Sequence, residues 1–176
     1  MAQIRNVLIL CTGNSARSLL AEAILNRDGA GRMCAFSAGS KPKGEPHPLA
    51  IELLARLGHD TTGLRSKSWN EFAGTNAPSM DVILTVCDAA AGESCPLWPG
   101  APLVAHWGIA DPAAVEGTTE AKRAAFELAY RRLEARANEF FALPFEALDA
   151  AGLKARLAEI GRMDGATELA AKAKAD

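Results

Sequence analysis

Apolar residues run unbroken from Val7 to Leu10 inside "IRNVLIL" (residues 4–10), the pattern of a strand covered on both faces. From Ser18 to Arg27 the pattern changes: Leu19, Leu20, Ala23 and Ile24 fall at helical spacing, and Gly29 and Gly31 end the segment. "MCAFSAG" (33–39) predicts a second strand. The polar loop "SKPKGEPHP" follows, then a helix in "LAIELLARLG" with Gly58 as its C-terminal cap. "MDVILTV" (80–86) and "APLVAHW" (101–107) predict two further strands, and Thr118 to Phe141 predicts a long charged, amphipathic helix. Strands alternating with helices imply a parallel sheet with helices on both faces, a three-layer α/β/α fold around four strands. The pattern divides into a main domain over 1–142 and a helical extension over 143–176. The extension carries one more helical stretch after "LPFEALD" and ends in "AAKAKAD", a tail expected to fray. Extra helix packing or a dimer contact is all the sequence suggests for it, and the oligomeric state stays open.

Composition narrows the class. The chain has 176 residues, 49% hydrophobic and 23% charged, which suits one globular unit with a sizeable core. A net charge of −2 argues against a broad nucleic-acid surface. No apolar run reaches membrane-spanning length, and no basic stretch leads into a signal-like core, so neither membrane association nor export is expected and the cytoplasm is the expected compartment. Four cysteines, Cys11, Cys34, Cys87 and Cys95, are too few and too scattered for a secreted disulfide scaffold; core thiols, metal ligands or redox groups remain.

The chemistry concentrates where the first strand ends. "CTGNSARS" places Cys11 at the strand terminus and Arg17 six residues on, at the start of a helix. In a parallel α/β sheet, ligands bind beyond the strand C-termini, near helix N-termini. Thr12, Gly13, Asn14, Ser15 and Ala16 are small enough for successive backbone N–H groups to turn inward around an oxyanion, and Arg17 can close the ring with paired hydrogen bonds. The same field favours Cys11 as a thiolate nucleophile, with Ser18 donating to its sulfur. The plain alternative is a buried Cys11 and a solvated Arg17. The loop resembles that of the low-molecular-weight tyrosine phosphatases and of the arsenate reductases that share their fold, in which the cysteine is the nucleophile and the arginine the anion clamp.

That resemblance gives Asp111-Pro112, in "HWGIADPAA", the role of general acid for the leaving oxygen. Phosphatases of this type usually continue with an aromatic residue that grips a phosphotyrosine ring. Ala113 and Ala114 stand here, which points to a small inorganic anion. In "TVCDAAAGESCPLWPG", Cys87 and Cys95 read as core thiols, as half of an under-supplied zinc site, or as a thiol relay. Together "CTGNSARS", "SAGSKP", "TVCDAAAGESCP" and "HWGIADPAA" resemble the thioredoxin-coupled arsenate reductases over residues 4 to about 142. The resemblance implies arsenate as substrate, a Cys11 adduct, attack by Cys87, then a Cys87–Cys95 disulfide reduced by thioredoxin, with glutaredoxin as the alternative donor. It requires no bound cofactor or metal. The rival readings are a phosphatase and a non-enzymatic oxyanion or redox sensor.

Two departures from that family stand out. Ala16 occupies a loop position where many members carry a second cysteine. Some members also hold a monovalent cation beside the cradle; Asn14, Glu22 and Ser37 match three of its ligands, and Lys67 falls at the fourth, where an ammonium would replace the ion. Cys34 reads as a packing residue, His47 as a turn or cap and His59 as solvated. His106 is expected to fix the acid loop by a structural hydrogen bond, and Trp69, Trp98 and Trp107 read as packing groups, the last two stiffening the flanks of the relay segment.

Overall fold

The computed structural model describes residues 5–100 and 102–173; Ile4, Ala101 and the last three residues of the tail lie outside them. Strands β1 (Arg5–Cys11), β2 (Met33–Gly39), β3 (Val82–Thr85) and β4 (Leu103–His106) form one parallel sheet in the order β2-β1-β3-β4. Helices α1 (Arg17–Asp28), α2 (Pro48–Arg56), α3 (Asp88–Gly92), α4 (Thr119–Phe141), α5 (Ala150–Gly161) and α6 (Glu168–Lys172) complete the chain. No helix among the described residues is long and apolar enough to cross a membrane.

The unbroken apolar run of β1 is explained by its surroundings. Val7 and Ile9 face the main core with Leu20, Ile24, Phe126 and Leu157, while Leu8 and Leu10 face a second core with Phe72, Met80 and Ile83. The three layers are unequal. Helices α1, α4 and α5 cover one face, whereas a short 3-10 turn, Trp69–Phe72, and the side chains of Met80 and Trp98 cover the other. Burial of the segment from Ser18 to Leu25 removes the polar face that a surface helix would keep.

The predicted strand over 80–86 is shorter in the structure, because its ladder is limited to the four residues that β4 pairs, and Met80 is packed into the second core instead. Gly58 follows the end of α2 with φ of +79°, a left-handed conformation that a side chain would disfavour, although Leu57 is the capping residue itself.

The extension is integral to the core and holds two helices, where the sequence predicts one. Leu157 is fully buried, and Trp107, at the end of β4, donates its indole N–H to the Leu157 carbonyl at 3.0 Å. Arg136 of α4 is 0% exposed and donates to the carbonyls of Met163 at 3.0 Å and Asp164 at 3.2 Å, just past the end of α5. Burial, with Arg132 alongside, lowers its pKa to about 10, so it stays charged at neutral pH and meets the negative end of the α5 dipole. The start of the tail does not fray: Ala170 is buried within α6.

The order β2-β1-β3 makes the gap between β1 and β3 the switch point of the sheet, where consecutive connections leave in opposite directions. Cys11 ends β1, and Cys87 follows β3 by two residues. The fold thereby sets the two thiols side by side.

Candidate active site

The loop after β1 wraps a cavity of about 380 Å³ lined by Cys11, Gly13, Ser15, Ala16, Arg17 and, from elsewhere in the chain, Lys41, Lys43, Cys87 and Asp111. Asn14 makes the turn with φ of 40°, a left-handed conformation that asparagine tolerates better than most residues. Its side chain pins the loop from beneath: Nδ2 donates to Ser18 Oγ at 2.8 Å and Ser37 Oγ at 2.9 Å, and Oδ1 accepts from the Lys67 amide at 2.8 Å. Gly39 closes the floor. A Cβ there would sit 2.4 Å from the Thr12 carbonyl oxygen and 2.8 Å from that of Cys11, so only glycine lets β2 pass under the loop.

Two features suit an oxyanion. Helix α1 starts beside the cavity with Ala16 as its N-cap, and among the described residues no side-chain cap hydrogen bond is made there, which leaves its leading amides as donors. Arg17 donates Nη1 to the Ile109 carbonyl at 3.0 Å and pairs Nη2 with Asp111 Oδ2 at 3.3 Å, while its Nε is buried with no hydrogen-bond partner among the described residues. A buried donor left unpaired is costly unless a ligand satisfies it. Asp111 caps the short turn that follows it, accepting from the Ala113 amide at 3.1 Å, and so stands at the rim beside the arginine.

Two thiols, Cys11 and Cys87, line the cavity. Cys87 Sγ accepts from the Thr12 amide at 3.3 Å and the Ala90 amide at 3.4 Å. These contacts divide the charge unequally. The Cys11 side chain, with the hydrogen bonds from Ala90 and Thr12, holds the Cys87 thiol well below its ordinary range despite burial. The Cys87 side chain, then burial, then repulsion from the Cys87 charge push Cys11 up, more than Arg17 and the Gly13 amide pull it down. The two directions are opposite: Cys87 is drawn toward the thiolate and Cys11 toward the thiol.

Asn14 braces the loop through its side chain, as the family resemblance implies, and Ser18 lies fully buried with it behind the cavity. Ser18 accepts from Asn14, and its expected hydrogen bond to Cys11 is not formed among the described residues. Thr12 serves Cys87 through its amide, and its hydroxyl donates to Glu93 at 3.1 Å. Cys95 is exposed and lines a different cavity, with Val104, Lys154 and Ala173. Cys34 is half-buried on β2.

Lys67 stands where the sequence predicts an ammonium. Its Nζ lies 3.6 Å from Glu22 Oε2 and 3.4 Å from Ser37 Oγ, with both charged side chains almost wholly buried, and Ser37 donates to Glu22. Burial raises the Glu22 pKa and lowers that of Lys67; each partner's charge opposes that shift in the other.

His47 caps α2 by accepting from the Leu49 amide at 3.2 Å. His59, expected to be solvated, is buried and lies 2.8 Å from the Tyr130 hydroxyl, with burial lowering its pKa. His106 braces Asp88, next to Cys87, rather than the Asp111 loop. Trp98 packs edge-on against Trp69. The sequence reading passed over Lys41 and Lys43. Their backbone amides donate to the Thr12 and Gly13 carbonyls, each at 3.0 Å, and their place just after β2, on the ligand-binding edge, was the available signal.

Comparison with known proteins places these features in context. The family model described as "Low molecular weight phosphotyrosine protein phosphatase" matches residues 6–154. An arsenate reductase of Bacillus subtilis (strain 168) is 33% identical over 134 residues, 76% of this chain and 93% of that protein. A glutaredoxin arsenate reductase of Synechocystis sp. is 29% identical over 109 residues, 62% and 79% of the two chains. The crystal structure of an arsenate reductase from Archaeoglobus fulgidus superposes with a TM-score of 0.55 at 29% identity, covering 76% of this chain and 99% of the other.

Proposed function

The chain belongs to the low molecular weight phosphotyrosine protein phosphatase family, and from that premise we propose that it is an arsenate reductase working by a three-thiol relay. One observation carries this reading: a second thiol, Cys87, lines the same oxyanion cavity as Cys11. Hydrolysis of a phosphate ester has no use for it.

Arsenate enters the cradle as a dianion and meets the α1 amides and the unpartnered Arg17 Nε. Cys11 sulfur attacks arsenic. Its own proton and one from Asp111 pass to the departing oxygen, which leaves as water. Cys87, as the thiolate its amide contacts favour, then attacks the Cys11 sulfur; the arsenic–sulfur electron pair stays on arsenic, which is released as arsenite once protonated. Cys95 attacks Cys87 in turn, freeing Cys11 and leaving a Cys87–Cys95 disulfide. An external dithiol returns two electrons and two protons to that pair. Thioredoxin is the proposed donor, with a glutaredoxin system as the alternative, in a reducing cytoplasm where no bound cofactor is needed. Lys41 and Lys43 attract the anion, and Ala113 and Ala114 leave no aromatic wall for an aryl ester.

Single turnover tests the reading. Pre-reduced protein given arsenate without external reductant is expected to release one arsenite per chain as Cys87 and Cys95 lose their thiols. Thiol loss with no arsenite, or arsenite with all thiols retained, would contradict it.

A further inference from the structure

The relay asks two opposed things of α3. Cys87 sulfur is held against Cys11 partly by the Ala90 amide of α3. Cys95 lines another cavity, of about 250 Å³, on the side where the extension packs. A disulfide requires Cα atoms within about 7 Å. The first exchange, between Cys11 and Cys87, uses two thiols of one cavity; the second joins Cys87 to a thiol that lines a different cavity, so the segment between them, which holds α3, has to rearrange.

Asp88, the first residue of α3, is anchored from outside the helix. Its Oδ1 accepts from His106 Nε2 at 2.7 Å and from Thr167 Oγ1 at 2.6 Å. His106, at the end of β4, is fixed through Nδ1 against the Thr85 hydroxyl at 2.7 Å. Thr167 belongs to the extension, beyond the residues matched by the family model. It caps α6, and its amide donates to the Gly108 carbonyl at 2.9 Å. The junction has no spare room: a Cβ on Gly108 would lie 2.5 Å from both His106 Nε2 and Thr167 Oγ1. Arg136 and Trp107 hold the rest of the extension, so Thr167 stands on a rigid support.

We propose that the C-terminal extension clamps the relay helix through Thr167, a positioning residue that holds Asp88, and with it Cys87 against Cys11, in the dithiol form and releases it when Cys87 pairs with Cys95. The proposal rests on the thiol relay of the preceding section. Because the clamp's hydrogen bonds exist only in the dithiol form, they oppose disulfide formation. That oxidation removes two electrons from Cys87 and Cys95, together with whatever protons their sulfurs carry; arsenate accepts the electrons in turnover, and glutathione disulfide, which takes up two protons to become two glutathiones, accepts them in the test.

The test measures the equilibrium of the Cys87–Cys95 pair with glutathione in the full chain, with Cys11 and Cys34 replaced by serine so that only the pair reacts. Removing a hydrogen bond to a charged acceptor with Thr167→Val is expected to shift the equilibrium about tenfold toward the disulfide, about 30 mV more negative. Thr167→Ser should restore the parent value. Thermal melting of the reduced forms checks folding, and Thr167→Ala, which leaves space in place of the second methyl, should shift the equilibrium in the same direction. An unchanged equilibrium in the folded valine and alanine variants would overturn the clamp while leaving the relay intact. A parent that forms no Cys87–Cys95 disulfide at any glutathione ratio would overturn the relay and the clamp together.

Discussion

Lys67→Met isolates what the buried ammonium does beneath the cradle. Methionine fills similar volume and leaves the Lys67 backbone amide on Asn14, so the main loss is the charge beside Glu22. An unpaired buried carboxylate costs about 3–5 kcal/mol, and the cheaper outcome is protonation. Glu22 has an ordinary pKa of 4.5, so keeping it protonated at pH 7 costs about 3 kcal/mol, falling by about 1.4 kcal/mol per pH unit as the solution becomes more acidic. The sign follows from the direction of the shift. Without Lys67 the folded-state pKa of Glu22 rises further above its unfolded value, so the variant keeps its stability at low pH and loses it as pH rises from 5 to 8. Urea unfolding of both proteins at pH 5, 6, 7 and 8 reads this out. The stability gap should be small at pH 5 and widen steadily to about 3 kcal/mol at pH 7. A gap that is constant with pH, or absent, would refute the pairing. Potassium should partly restore the variant and leave the activity of the parent unchanged; strong potassium activation of the parent would show that Lys67 does not replace a cation.

Three further outcomes follow from the site. Gly39→Ala puts a methyl 2.4 Å from the Thr12 carbonyl oxygen and must displace the cradle by the better part of an ångström, so kcat/KM for arsenate should fall about 100-fold; a near-normal value would mean the loop gives way easily. The thiolate absorbance should persist well below pH 7 in the parent and titrate at higher pH in Cys11→Ala, because Cys11 is the largest cause of the Cys87 shift; an unmoved titration would remove Cys11 as that cause. Arg17→Lys keeps the charge but loses the planar fork, so KM for arsenate should rise steeply; an unaltered KM would remove Arg17 from the anion site.

The parts of this architecture written in local pattern were legible from sequence. β2 coincides with "MCAFSAG" because its short apolar run and the glycine at its end are both sequence-local, and the C-x5-R loop announces itself by the placement of a thiol, small residues and an arginine between strand and helix. The cluster of Asn14, Glu22, Ser37 and Lys67 was reached through family resemblance, and the geometry brings the four together. What local pattern does not contain is pairing at long range. His59 is buried because Tyr130, 71 positions away, offers it a hydroxyl. Cys87 is singled out from the other thiols partly because amides from two separate segments converge on its sulfur. Thr167 matters only because the chain returns after α5 to reach Asp88, 79 positions earlier.

The most direct test of the central claim is arsenate-dependent NADPH consumption with thioredoxin and thioredoxin reductase, comparing the parent with Cys87→Ser. The relay predicts sustained turnover in the parent and none beyond the first adduct in the variant. Turnover that survives in Cys87→Ser would contradict the relay, as would a parent that consumes no NADPH with either thioredoxin or glutaredoxin and releases no arsenite.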